Sequence, residues 1–176
     1  MSYKFGGACL SKNYEQTPKT WQQLLEIPCA GEGGTVSMKA ATSATWAGVA
    51  YAYVDDCTLI QANEYVMDAN FYDTELYELD ELLATASSQT NILIYWLDGV
   101  TGTYGFSLFE NGERKRVRGI LNGKIAMDEG ELLPAEKHFS KEDKNDEERI
   151  FAIIEAFTGR SLTKLIQEDF QLITCK

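Results

Sequence analysis

The sequence predicts an α+β fold: one domain over residues 1–176, with a mostly antiparallel sheet of about seven or eight strands, three main helices and a short C-terminal helix. Three observations predict it. First, the stretch Asn91–Glu131 holds two Asn-Gly pairs, Asn111-Gly112 and Asn122-Gly123, each set between alternating segments. A two-residue type I′ turn needs φ > 0 at both central residues, which Asn and Gly tolerate best, so each pair predicts a hairpin. With Asp98-Gly99 as a third turn, residues 91–129 become a central four-stranded meander. Second, apolar residues recur at helical spacing in other segments that begin with capping residues. Third, 176 residues can bury about 70% of the unfolded chain's surface, so no disulfide or metal is needed.

From the N-terminus, Tyr3–Leu10 reads as a strand with Gly6-Gly7 as a bulge. Thr17 caps a helix with Pro18 at its first position and Trp21, Leu24 and Leu25 as its apolar stripe; it stops before Pro28. Gly31-Glu32-Gly33-Gly34 is a flexible loop that shares its glycines with phosphate loops but lacks the following Lys-Ser/Thr. Val36–Ala40 alternates as a strand. Ala47–Val54 and Cys57–Gln61 make a hairpin about Asp55-Asp56. Two adjacent carboxylates could hold a cation or act as acid and base, but hydrogen bonding to local backbone accounts for them at a hairpin tip. Residues 62–74 are an irregular, aromatic connection. Asp73 or Thr74 then caps a helix to about Ser87, with Leu76, Leu79, Leu82 and Leu83 inward and Glu75, Glu78, Asp80 and Glu81 outward.

In the meander, two-residue loops put Glu110 opposite Glu113 and Phe109 opposite Arg114, and by extension Phe106 opposite Val117 and Arg116 opposite Glu129. Alternation then gathers Tyr104, Phe106, Leu108, Val117 and Leu121 on a core face. Arg114, Arg116 and Arg118 fall on the other face with Ser107 and Glu129. That arginine row is either a solvated sheet face or a site for phosphate or carboxylate groups, which guanidinium binds bidentately. Beyond the meander, Ser140 with Asp143 suggests a helix cap. The helix is firm over Ile150, Phe151, Ile153, Ile154 and Phe157, and Gly159 ends it. Ser161 caps a short turn through Leu162, Leu165 and Ile166, and Phe170–Thr174 is the closing strand.

Charge is the most unusual feature. Positions 40–113 contain twelve Asp and Glu and no Lys or Arg, whereas the rest of the chain holds sixteen basic and fifteen acidic residues. The formal charge of −11 disfavours direct contact with nucleic acid or an anionic membrane. No leader or spanning stretch is read, and the four scattered cysteines suit a reducing compartment, so a cytoplasmic protein is expected. His138 is the only histidine, and no Gly-x-Ser-x-Gly elbow accompanies it, which leaves nucleophilic catalysis and a histidine metal cluster without support. No catalytic residue, metal site or cofactor is assigned.

From Tyr104 onward, the order of signals resembles a group of uncharacterised bacterial domains of unknown function. The features are an aromatic strand ending in Glu110-Asn111-Gly112, the arginine-rich strand, a second Asn-Gly, then Gly130-Glu131-x-Leu133-Pro134-x-Glu136, and Ala156-Phe157-Thr158-Gly159 before a final strand. The resemblance covers residues 104–176 and implies a bacterial α+β domain without an assigned activity. By size and charge alone, the chain is also similar to small acidic immunity proteins that neutralise toxins.

The leading expectation is a non-enzymatic binding protein, immunity- or inhibitor-like. It would engage a basic protein through an acidic surface of Asp55, Asp56, Glu64, Asp68, Glu75, Glu78, Asp80 and Glu81. The alternative is a small-molecule-binding or hydrolase-type domain with a pocket near Arg114, Arg116 and Arg118, served by Glu129 or Glu131. The position of the arginines discriminates between them.

Overall fold

In a computed structural model, residues 4–27, 32–42, 48–140, 146–165, 167 and 169–173 are described. Nine antiparallel strands make one sheet: β1 (Lys4–Leu10), β2 (Glu32–Ser37), β3 (Val49–Val54), β4 (Cys57–Gln61), β5 (Ile92–Asp98), β6 (Thr103–Glu110), β7 (Glu113–Leu121), β8 (Lys124–Gly130) and β9 (Asp169–Ile173). Their order is β2-β9-β3-β4-β1-β5-β6-β7-β8. The sheet exceeds the expected seven or eight strands, and β9 inserts between β2 and β3, joining β2 to the rest. Three helices span seven residues or more: α1 (Pro18–Leu24), α4 (Glu78–Ala86) and α5 (Asp146–Thr158). Single turns form α2 (Met38–Ala41), α3 (Asn63–Val66) and α6 (Leu162–Leu165), and Pro134–Glu136 is a 3₁₀ turn.

Helices cover the sheet on both faces, which explains why β5 is buried at every position and reads as a continuous apolar run. One core packs Trp21, Val66, Phe71 and Leu83 against Ile94, Trp96 and Phe109. The opposite core packs Met38, Ile150, Ile153 and Ile154 against Phe5, Leu93, Tyr95 and Phe106.

Local chemistry explains most boundaries. Both Asn-Gly turns carry positive φ at each central residue, 52° and 87° at Asn111-Gly112 and 51° and 73° at Asn122-Gly123. The four-stranded meander forms as expected, with Glu110 opposite Glu113 and Leu121 opposite Lys124. Several expectations need correction. Gly6-Gly7 is no bulge, because β1 pairs continuously with β5 through both residues. Glu32–Gly34 belongs to β2 rather than to a loop, and that strand ends at Ser37, whose hydroxyl accepts from the Ala40 N–H and opens α2. Helix α4 begins at Glu78, not near Asp73: the Asp73 carboxylate is used to hold Glu75 N–H and the Asn70 amide. The cap expected of Ser140 with Asp143 depends on a residue outside the described ones, and Ile166 of the short turn and Thr174 of the closing strand also lie outside them.

The largest correction is in the meander's register. Phe109 lies opposite Arg114 as expected, but the next pair is Leu108 with Arg116, so Lys115 is an extra residue. A bulge of this kind moves every following side chain to the other face. Phe106 therefore lies opposite Arg118, and Ser107, not Phe106, faces Val117. A second bulge makes Ala126 the extra residue, leaving Arg118 opposite Asp128 and Arg116 opposite Gly130, not Glu129. Leu121 is exposed at the end of β7 rather than in the core.

Candidate functional site

The bulges decide what the arginines do. Arg116 and Arg118 share a face with Phe106 and Leu108, beneath α5, and each is 1% exposed. Arg116 donates to both carboxylate oxygens of Glu136, from Nε at 2.9 Å and Nη2 at 2.8 Å, and Nη2 also meets Asp128 at 2.6 Å. Arg118 bridges Asp128 at 2.7 Å and Asp146 at 2.8 Å. Arg149 stands 3.9 Å from Asp146 and 4.0 Å from Glu136. Three guanidinium groups thus meet three carboxylates, and Arg116 also lies 5.6 Å from the Phe106 ring centroid. Burial alone would lower the Arg116 pKa, but Glu136 and then Asp128 outweigh it and hold it above the ordinary value. The network bolts the Pro134–Glu136 turn and α5 onto the meander. Glu129 contributes only its backbone carbonyl, accepting from Arg116, and its side chain, like Glu131, is exposed.

Arg114, ahead of the bulge, points to the opposite face and donates to the carbonyls of Asn70, Asp73 and Thr74. The expected single row of arginines does not exist. One member staples a loop and two are held by the carboxylates of Asp128, Glu136 and Asp146, so these arginines are engaged within the protein rather than lined up on the expected anion-binding face.

The acidic residues divide as well. Asp55 sits at the β3–β4 tip with φ of 50° and pairs bidentately with Arg160 at 2.7 and 2.8 Å. The hydrogen bond from Arg160 chiefly holds its carboxyl below the ordinary value. Asp56 is exposed beside it. Strand β4 separates this tip from Glu64 on α3 by five residues, or about 16 Å.

Asp80 is not a surface residue. It is fully buried and accepts from the Asn70 and Tyr77 N–H groups, both at 3.0 Å. Burial pushes its carboxyl up, against the lowering effect of those two bonds. It therefore shapes the surface from beneath. With Arg114 gripping the same loop from the sheet side, Asp80 fixes residues 70–77 and presents Leu76 and Tyr77, 37% and 49% exposed, beside Glu75 and Glu78.

These elements enclose a cleft of about 480 Å³ between the end of α1, the α3 turn and the start of α4. Glu26, Asp68 and Glu78 rim it, with Tyr65 and Tyr77 as walls and Leu82 in its floor. Tyr65 donates to the Leu25 carbonyl at 2.9 Å. Burial first, then the Glu26 and Asp68 carboxylates, pushes the Tyr65 phenol well above its ordinary value. Both charges therefore act on one point. Among the described residues, no ion pair neutralises Glu26, Glu64, Asp68, Glu75, Glu78 or Glu81.

Sequence reasoning missed Glu26, Tyr65 and Tyr77. Glu26 has a positive φ of 51°, and its place opposite α3 depends on how α1 packs over the sheet. Among the described residues there is no group of three or more His, Cys, Asp or Glu arranged to hold a metal ion, and no helix long and apolar enough to cross a membrane. His138 is exposed after the 3₁₀ turn. Compared with family models, curated proteins and solved structures, the chain matches none.

Proposed function

We propose that this is a non-enzymatic binding protein that captures a basic protein through the acidic, tyrosine-walled cleft between α1, α3 and α4. The observation that carries the reading is the convergence of Glu26, Asp68 and Glu78 on one concavity with no cation among the described residues to neutralise them. Tyrosines add a large, rigid contact area with a polar tip, the composition found at the centres of tight interfaces. Arginine is the fitting counterpart, since its guanidinium can stack on Tyr77 while bonding a carboxylate. Complementary charge would speed association and make it sensitive to salt.

The partner surface is narrower than the acidic stretch read from the sequence. Glu64, Asp68, Glu75, Glu78 and Glu81 remain in it and Glu26 joins it. Asp80 is structural, and Asp55 and Asp56 lie apart. An immunity- or inhibitor-like role rests on the chain's small size and acidic charge, and a bacterial cytoplasm agrees with the resemblance over residues 104–176 and with the buried free thiols of Cys9 and Cys57.

The test is capture from a native lysate by three forms of the protein: the original, one with Glu26, Asp68 and Glu78 changed to Lys, and one with Asp56 changed to Lys. The reading expects a basic partner, released by moderate salt, retained by the Asp56 variant and lost by the triple variant. Retention by the triple variant, at unchanged salt sensitivity, would overturn it.

A further inference from the structure

A second cleft, of about 340 Å³, opens on the other side of the α3 turn, and a different observation builds it. Across four neighbouring strands, Gly6, Trp96, Gly105 and Gly119 stand directly opposite one another. Side chains in such a row share a face, so a single indole lies in a lane otherwise empty of side chains. The lane is closely used. A Cβ on Gly6 would fall 2.7 Å from Trp96 and 3.1 Å from Val66, and one on Gly105 would strike Phe71. On Gly119 it would collide with the Phe71 carbonyl. Gly105 and Gly119 therefore let the segment carrying Phe71 and Tyr72 lie down on the sheet, and Gly6 lets Trp96 and Val66 close over β1.

The result is a concave site whose walls are Trp96, Phe71, Tyr72 and Met67. The Phe71 and Tyr72 rings are nearly perpendicular, at 78° with centroids 6.1 Å apart. At its polar end lies Asp98, only 5% exposed. One Asp98 oxygen accepts from the Val100 and Thr101 N–H groups, and the other faces Lys4 Nζ at 3.4 Å. That is longer than the roughly 2.8 Å of a strong charge-assisted bond, and the Lys4 side chain is 42% exposed. Aromatic faces set at an angle beside a carboxylate attract a cation with an apolar body, through the ring quadrupoles and the charge together. The volume is at the lower end of small-molecule sites, about 300–1,000 Å³.

We infer that the Trp96 cleft binds a small organic cation, an alkylated ammonium on an apolar or aromatic body, which displaces Lys4 from Asp98. This inference is independent of the binding surface proposed above.

Titration of the full chain with benzyltrimethylammonium, benzyl alcohol and phenylacetate, followed by amide and indole NMR shifts, tests it. The expected result is saturable one-to-one binding of the cation, with shifts gathered at Trp96, Met67 and residues 101–103. The cation should bind at least tenfold more tightly than the alcohol, with phenylacetate weakest. Lys4→Met removes the competing ammonium and should tighten binding of the cation several-fold; Tyr72→Leu should weaken it. Absence of saturable binding, shifts away from the cleft, a preference for phenylacetate, or weaker binding by Lys4→Met would each overturn the inference.

Discussion

Arg118 carries two carboxylates inside the protein, and its removal isolates the effect of one buried charge. Arg118→Met would leave Asp146 buried without its closest partner and remove one of the two arginines paired with Asp128. Breaking a buried pair from one side costs about 3–5 kcal/mol, because the remaining charge is desolvated and unmatched. Urea denaturation should show a loss of that size, and a loss below about 1 kcal/mol would mean the network is more hydrated than its burial indicates. Asp98 gives a pH signature. Burial works to raise its carboxyl, but the Thr101 and Val100 N–H groups and Lys4 outweigh it and hold it below the ordinary value. An acid whose folded pKa is lowered contributes stability that is complete above its unfolded pKa, about 3.9, and is lost as pH falls through the folded value. Asp98→Asn, which keeps an acceptor for the turn, should therefore show a shallower loss of stability between pH 4 and pH 2. An unchanged acid profile would remove Asp98 from the account.

Among the elements, the meander shows how far the residues could be read and where reading failed. Asn111-Gly112 and Asn122-Gly123 announce their turns because the positive φ values are a local demand. The bulges at Lys115 and Ala126 make no such announcement: neither is a glycine, and each is set by which pairing buries Phe106 with Arg116 and Arg118 beneath α5. The partners Glu136 and Asp146 lie 20 and 28 residues away from their arginines, beyond any local pattern. Alternation was sound on each side of the bulge and wrong across it. Glu75 and Glu78 could be read as exposed, while Asp80 looked equivalent and is a buried clamp. The glycine row was equally hidden, since Gly6, Gly105 and Gly119 become neighbours only once the strand order exists. Gly119→Ala should lift the Phe71 segment and cost about 1–3 kcal/mol through overpacking, with the chemical shifts of Phe71 and Tyr72 changing. The same variant with an unaltered melt would show that the segment does not rest on the sheet as described.

For the whole molecule, the uneven charge acquires a shape. Three basic residues of the C-terminal half are spent on the buried network and Arg160 on Asp55. The acidic middle segment folds around a cleft with no basic residue of its own. Steering by such a field weakens as salt shortens the Debye length to about 8 Å at 0.15 M. The association rate with a basic partner should thus fall steeply between low and physiological salt, while dissociation changes less. Stopped-flow mixing at several ionic strengths would check this, and a flat association rate would argue against steering. The most direct measurement of the central claim is hydrogen exchange of the protein alone and with its captured basic partner. Protection is expected only at Glu26, residues 64–68 and residues 75–82, with the β3–β4 tip unchanged. Protection at Asp55, Asp56 and Arg160, or along the β8 edge with the cleft unaffected, would contradict it.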